Sequence, residues 1–128
     1  MDLIDMFRYE KEYQSKAAGQ PILSAGEAGQ TLFVLIEGQA DVLLGDEVVE
    51  SAGPGAIFGE MALVDDLPRS ATVIARTDCR LISIDANRFN ALIQKTPDFA
   101  RHVMKVMANR IRNMNERNIA FIEYCLRF

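Results

Sequence analysis

One stretch of this chain gathers residue types that could do chemistry at close spacing: Phe58-Gly59-Glu60-Met61-Ala62-Leu63-Val64-Asp65-Asp66-Leu67-Pro68-Arg69-Ser70-Ala71-Thr72-Val73. Gly59 opens a short turn of good helix formers, Glu60 to Leu63. The first turn of a helix carries backbone N–H groups with no partner inside the helix, the usual ingredients of an anion site. Arg69 stands just before a β-branched run, and its planar guanidinium can hold two oxygens of one phosphate. Ser70 places a hydroxyl beside it. Glu60 is the odd acid in a phosphate site. Its carboxylate makes sense as the acceptor of hydrogen bonds from a ribose hydroxyl. The plainer alternative is a surface loop in which Arg69 pairs with Asp65 or Asp66.

The surrounding sequence must position this stretch, and most of it reads as short strands cut by turns. Residues 2–10 suggest a short amphipathic helix with Leu3, Met6 and Phe7 on one side. Strands are expected over Tyr13–Ala17, Ile22-Leu23, Thr31–Glu37, Gln39–Leu44, Val48-Val49, Ala71–Ala75 and Cys79–Ile84. Gly45-Asp46 is a tight hairpin signal, and Gly53-Pro54-Gly55 is a second turn. Turn signals at this spacing point to an all-β sandwich or barrel. After Asp85 the period changes. Phe89, Leu92 and Ile93 mark one helical face over about 86–95, with Asp85 as its N-cap. Thr96-Pro97-Asp98 starts a second helix, expected over about 97–127. Its apolar stripe runs through Phe99, Val103, Met107, Ile111, Met114, Asn118, Phe121 and Cys125.

The stretch from Phe58 to Val73 resembles the phosphate-binding cassette of the cyclic nucleotide-binding domain family: Phe-Gly-Glu, a small apolar turn, then Pro-Arg, a small residue and Ala-Thr-Val. The resemblance extends from Glu37-Gly38 to the two C-terminal helices. It implies a mainly β fold with flanking helices: an eight-stranded β jelly-roll barrel over about 12–85, a short N-terminal helix and two C-terminal helices, one domain over 1–128. It also implies a ligand, cAMP favoured and cGMP possible, contacted by Phe58, Gly59, Glu60, Met61, Ala62, Arg69, Ser70 and Ala71. Glu60 takes the ribose 2′-hydroxyl, Arg69 the cyclic phosphate, and backbone N–H groups near Ala62 and Ala71 complete the cradle. Arg110, Asn113 and Arg117 are possible base contacts on the last helix. The implied role is a sensor that signals through movement of its C-terminal helices. Two departures stand out. Gly29-Gln30 replaces the Gly-Asp that the family often has after the first hairpin, and the N-terminal helical region is short. No helix-turn-helix, kinase or channel segment is expected, so neither is a nucleic-acid partner.

Composition agrees with a cytoplasmic sensor and disfavours other classes. The 128 residues are 49% hydrophobic and 25% charged, enough for one packed core. A net charge of −4 argues against wholesale binding to a phosphate backbone. No apolar run reaches the roughly 18 residues of a membrane span, and no basic-then-apolar leader opens the sequence. Cys79 and Cys125 have no metal-like spacing and read as free thiols. His102 is the only histidine, so a cupin-like metalloenzyme lacks its ligands. Asp65 and Asp66 have no nucleophile placed nearby, and Ser24, Ser70 and Ser83 lack a nucleophile-elbow context. No catalysis, metal or cofactor is expected. Met104, Met107 and Met114 read as core or interface. The alternative function is a ligand-free oligomerisation or adaptor module on the same fold.

The last helix generates a prediction. A helix over 97–127 is about 45 Å long, against a radius of gyration of about 14 Å for a domain of this size. Its end, from Ile119 to Phe128, is apolar on nearly every side, a surface that favours pairing with a second copy. Met107, Ile111, Met114, Asn118 and Phe121 have nearly the spacing of a coiled-coil seam. Light scattering at tens of micromolar should give a dimer mass, and Phe121→Asp should halve it. A monomer mass for the unaltered chain rejects the seam in favour of a helix folded back on its own barrel.

Overall fold

The computed structural model describes residues 3–7, 9–59 and 71–117, with side chains of the last helix as far as Asn113. Eight strands form two four-stranded antiparallel sheets. The first sheet has the order β1 (Gln14–Lys16), β8 (Cys79–Ile84), β3 (Leu32–Glu37), β6 (Ile57–Phe58). The second has the order β2 (Pro21–Leu23), β7 (Thr72–Ala75), β4 (Ala40–Leu44), β5 (Glu47–Ala52). Helices α1 (Leu3–Met6), α2 (Ala86–Lys95) and α3 (Pro97–Arg117) flank the first sheet.

The two sheets are patterned differently because one is covered on both faces. In β3 the run Leu32-Phe33-Val34-Leu35 is apolar at every position. Leu35 faces the space between the sheets with Leu81 and Phe58, while Leu32 and Val34 face the helices with Ile82, Ile84, Phe99 and Val103. A strand buried on both faces needs such a run. The second sheet alternates instead. Ala40, Ala52, Val73 and Ala75 point inward. Asp41 lies on the outer side, where it accepts a hydrogen bond from Ser51 Oγ at 2.9 Å and pairs with Arg76 at 3.6 Å.

The expected elements are present with four changes. α1 covers only Leu3–Met6 rather than 2–10, and the chain turns at Phe7, whose N–H donates to Leu3 O. So short a helix has little intrinsic stability; burial of Leu3 and Phe7 against Phe99 and Val103 holds it. β1 is shorter than Tyr13–Ala17, and β5 is longer than Val48-Val49. The eighth strand, Ile57–Phe58, has only two residues, too few for an alternation to show. α2 follows expectation: the Asp85 side chain accepts from Arg88 N–H at 2.8 Å as N-cap. α3 begins at Pro97 as expected. Residues 118–127 of the expected helix lie outside the described residues.

One glycine fixes how the β3–β4 corner meets β8. Gly38 has φ +101°, and a Cβ there would stand 2.4 Å from Asp78 O and 2.8 Å from Cys79 Sγ. Gly38→Ala combines backbone strain with overpacking, so it should cost about 2–5 kcal/mol in urea unfolding. Gly53→Ala meets only the Gln39 side-chain amide, at 3.1 Å, and should cost no more than about 1 kcal/mol. Equal losses at the two positions would show that the Gly38 corner is free to relax.

Candidate functional site

The cassette stretch joins the two sheets. It leaves the first sheet at the edge strand β6 and enters the second at β7. Phe58 ends β6 fully buried, in antiparallel register with Phe33. Gly59 follows with φ +81°, a left-handed conformation that turns the chain out of the sheet and suits glycine. Ala71 is half-buried at the start of the return into Thr72–Ala75. Glu60, Met61, Ala62, Arg69 and Ser70 lie outside the described residues.

Of the three expected base contacts, Arg110 is drawn into the barrel edge. Its Nε and Nη2 donate to Glu50 Oε1 and Oε2, both at 3.4 Å. Nη2 also donates to the carbonyl of Ile57. The guanidinium carbon stands 5.7 Å from the centroid of the Phe58 ring, within range of a cation–π contact. The side chains are 18% exposed for Arg110 and 26% for Glu50, so this pair is screened less than a surface one. Asn113 is exposed, and the Arg117 side chain lies outside the described residues.

Sequence reasoning did not single out Glu50. In the register of the second sheet, Glu50 faces Val42 and Val42 faces Val73. Residues directly opposite share a face. Val42 and Val73 pack in the inner cluster, so Glu50 lies on the core-facing side of edge strand β5. The signal was present as an acid two positions before Ala52. A register shift between Val42 and Leu43 leaves Val49 buried as well, and this obscured the alternation.

The remaining titratable candidates are held in unreactive forms. Cys79 is buried and its Sγ donates to Gln39 O at 3.3 Å. Burial pushes the thiol up, the hydrogen bond to Gln39 opposes this, and Asp78 adds to it. The protonated thiol is not a nucleophile. His102 is half-buried on α3. Burial and then neighbouring positive charge, Lys105 included, push its imidazole down and favour the neutral ring. Among the described residues no cluster of His, Cys, Asp and Glu could hold a metal, and no helix is long and apolar enough to cross a membrane.

The family model described as cyclic nucleotide-binding domain matches residues 13–96, from β1 to the end of α2. The chain belongs to the cyclic nucleotide-binding domain family. It is 41% identical over 93 residues to the cyclic nucleotide-gated potassium channel RHE_CH03180 of Rhizobium etli, a match covering 73% of this chain and 26% of the channel. It is 32% identical over 120 residues to the cAMP-activated global transcriptional regulator CRP of Pasteurella multocida, covering 88% of this chain and 56% of the regulator. A solved structure from a cyclic-GMP-dependent signalling pathway that regulates bacterial phytopathogenesis superposes with a TM-score of 0.69 at 32% identity, covering 80% of this chain and 85% of that one. The chain thus spans about a quarter of the channel and about half of the regulator.

The Arg110–Glu50 contact is testable as a pair. Arg110→Met keeps the apolar stem and removes the fork, and should lower stability by about 1–2 kcal/mol. In a double-mutant cycle with Glu50→Gln, the coupling should reach about 0.5–2 kcal/mol. Additive losses in the cycle would mean that the two side chains do not act on each other.

Proposed function

We propose that this chain is a receptor for a cyclic purine nucleotide that works by binding alone, without catalysis. The observation that carries this reading is the motif Phe58-Gly59-Glu60 with Pro68-Arg69-Ser70-Ala71-Thr72-Val73, strung between an edge strand of one sheet and an inner strand of the other. In the proposed site Arg69 holds the cyclic phosphate and Glu60 the ribose 2′-hydroxyl. Phe58, Gly59, Met61, Ala62, Ser70 and Ala71 shape the cradle. The ligand of first choice is cAMP, supported by similarity to a cAMP-activated regulator. cGMP is the second choice, favoured by one observation: the carboxylate of Glu50 on the core-facing side of the sheet.

The signal is a population shift of the C-terminal helices. α3 touches the entrance of the cassette through Arg110, Ile57 and Phe58, which supports coupling between ligand and helix. Barrel and helices act as one domain in the cytoplasm. A second copy pairs along the outer end of α3, where Met104 is 61% and Ile111 40% exposed. The first half of the expected stripe, Phe99 and Val103, is not available to that partner because it packs on its own barrel.

The test is calorimetric titration with cAMP, cGMP and a cyclic dinucleotide on protein stripped of co-purified ligand. Arg69→Ala should weaken the binding that is found by about 30-fold to several thousand-fold, the loss of about 2–5 kcal/mol expected for a charge-assisted pair. Arg69→Lys should rescue poorly, because a point charge does not reproduce the fork. Saturating nucleotide should raise the melting temperature by several degrees, and by less in Glu60→Gln. Wild-type protein that ignores millimolar cAMP and cGMP leaves the adaptor reading.

A further inference from the structure

Glu50 is out of place by the logic of its own strand. Its cross-strand row runs Glu50, Val42, Val73, and the adjacent row runs Ala52, Ala40, Ala75. The other five residues pack in the inner cluster. An acid in such a row carries a desolvation cost that valine would not. The position is also next to both ends of the cassette. Val73 lies two residues beyond Ala71, and the Glu50 partner Arg110 sits on the Ile57 carbonyl and the Phe58 ring.

We infer that Glu50 reads the base of the bound nucleotide, accepting hydrogen bonds from its N–H edge; this rests on the proposed function. The way Arg110 engages Glu50 shows what the carboxylate is shaped to receive. Two donors on one planar N–C–N unit, Nε and Nη2, meet the two oxygens, one each. Guanine carries the same pattern in its ring N1–H and 2-amino group, with the O6 acceptor alongside. Adenine offers one donor group, the 6-amino, beside an acceptor nitrogen. Arginine has donors only, so Arg110 can turn from Glu50 to O6 or stay on the Ile57 carbonyl. Glu50 therefore tilts the site toward guanine, relative to a neutral residue in the same place.

The test compares wild type with Glu50→Gln and Glu50→Ala by titration with cAMP, cGMP and cyclic IMP. The last keeps N1–H and O6 but lacks the 2-amino group. Both variants should lose about tenfold or more of cGMP affinity while cAMP affinity changes by less than about threefold, as expected for loss of a charge-assisted pair of hydrogen bonds. The advantage of cGMP over cyclic IMP should shrink in step. Melting curves of the free variants confirm that both are folded. A pair that acts only by positioning α3 would change all three affinities by one factor. That result overturns the inference, and so do unchanged ratios. If wild type binds none of the three, the proposed function fails and the inference with it. If wild type binds, Arg69→Ala abolishes binding and the ratios do not move, the inference alone fails.

Discussion

The rest of this structure depends on the burial of β3 and β8 from both sides. Their inward residues, Leu35 and Leu81, close the space between the sheets, and their outward residues, Leu32, Val34, Ile82 and Ile84, form the floor on which the helices lie. Without the inner cluster the second sheet has nothing to pack on. Without the outer cluster a four-residue α1 and the start of α3 lose their hold. Both clusters pass through the same few residues of two paired strands, so a change in barrel packing reaches the helices through contiguous side chains rather than a flexible link.

That arrangement fixes where a ligand site can be. Covering one sheet with helices leaves the edges of the barrel as the places where backbone and polar side chains meet water. The cassette stretch crosses such an edge, from β6 to β7. β6 is only two residues long, and its partner β3 carries the pairing on the other side through β8. A short edge strand followed by a left-handed glycine ends the sheet sharply, so the chain can leave the barrel without stranding further ladder groups.

The sequence made these elements legible to different degrees, for physical reasons. β3, β4 and β8 announce themselves by composition and alternation, and α2 by its Asp85 cap, because their faces have a uniform environment. The cassette was legible through residue types at fixed spacing, which do not depend on periodicity. β6 was not, since two residues carry no period. The short extent of α1 was hidden because Leu3, Met6 and Phe7 satisfy a helical pattern whether or not the helix continues. Glu50 was missed because a register shift in β4 and β5 breaks the link between position and face. Arg110 was noticed as a base contact, but its pairing with Glu50, 60 positions away, is a tertiary fact that no local pattern encodes.

The same contrast between apolar and polar contacts decides which part of α3 can move. Near its start, Phe99 is fully buried and Val103 nearly so; emptying a site like that of Phe99 costs about 3–5 kcal/mol. Arg110 lies about 16 Å further along the helix. There the described tie to the barrel is polar, and Ile111 beside it faces solvent. A partly screened ion pair and its hydrogen bonds contribute on the order of 1–2 kcal/mol. The first turns of α3 are therefore a pivot, and the stretch beyond Met107 is the part that modest differences in contact energy can shift. Modest differences are what a small ligand supplies. A ligand that takes over Glu50 removes the polar tie at the far end of the lever and leaves the apolar pivot untouched.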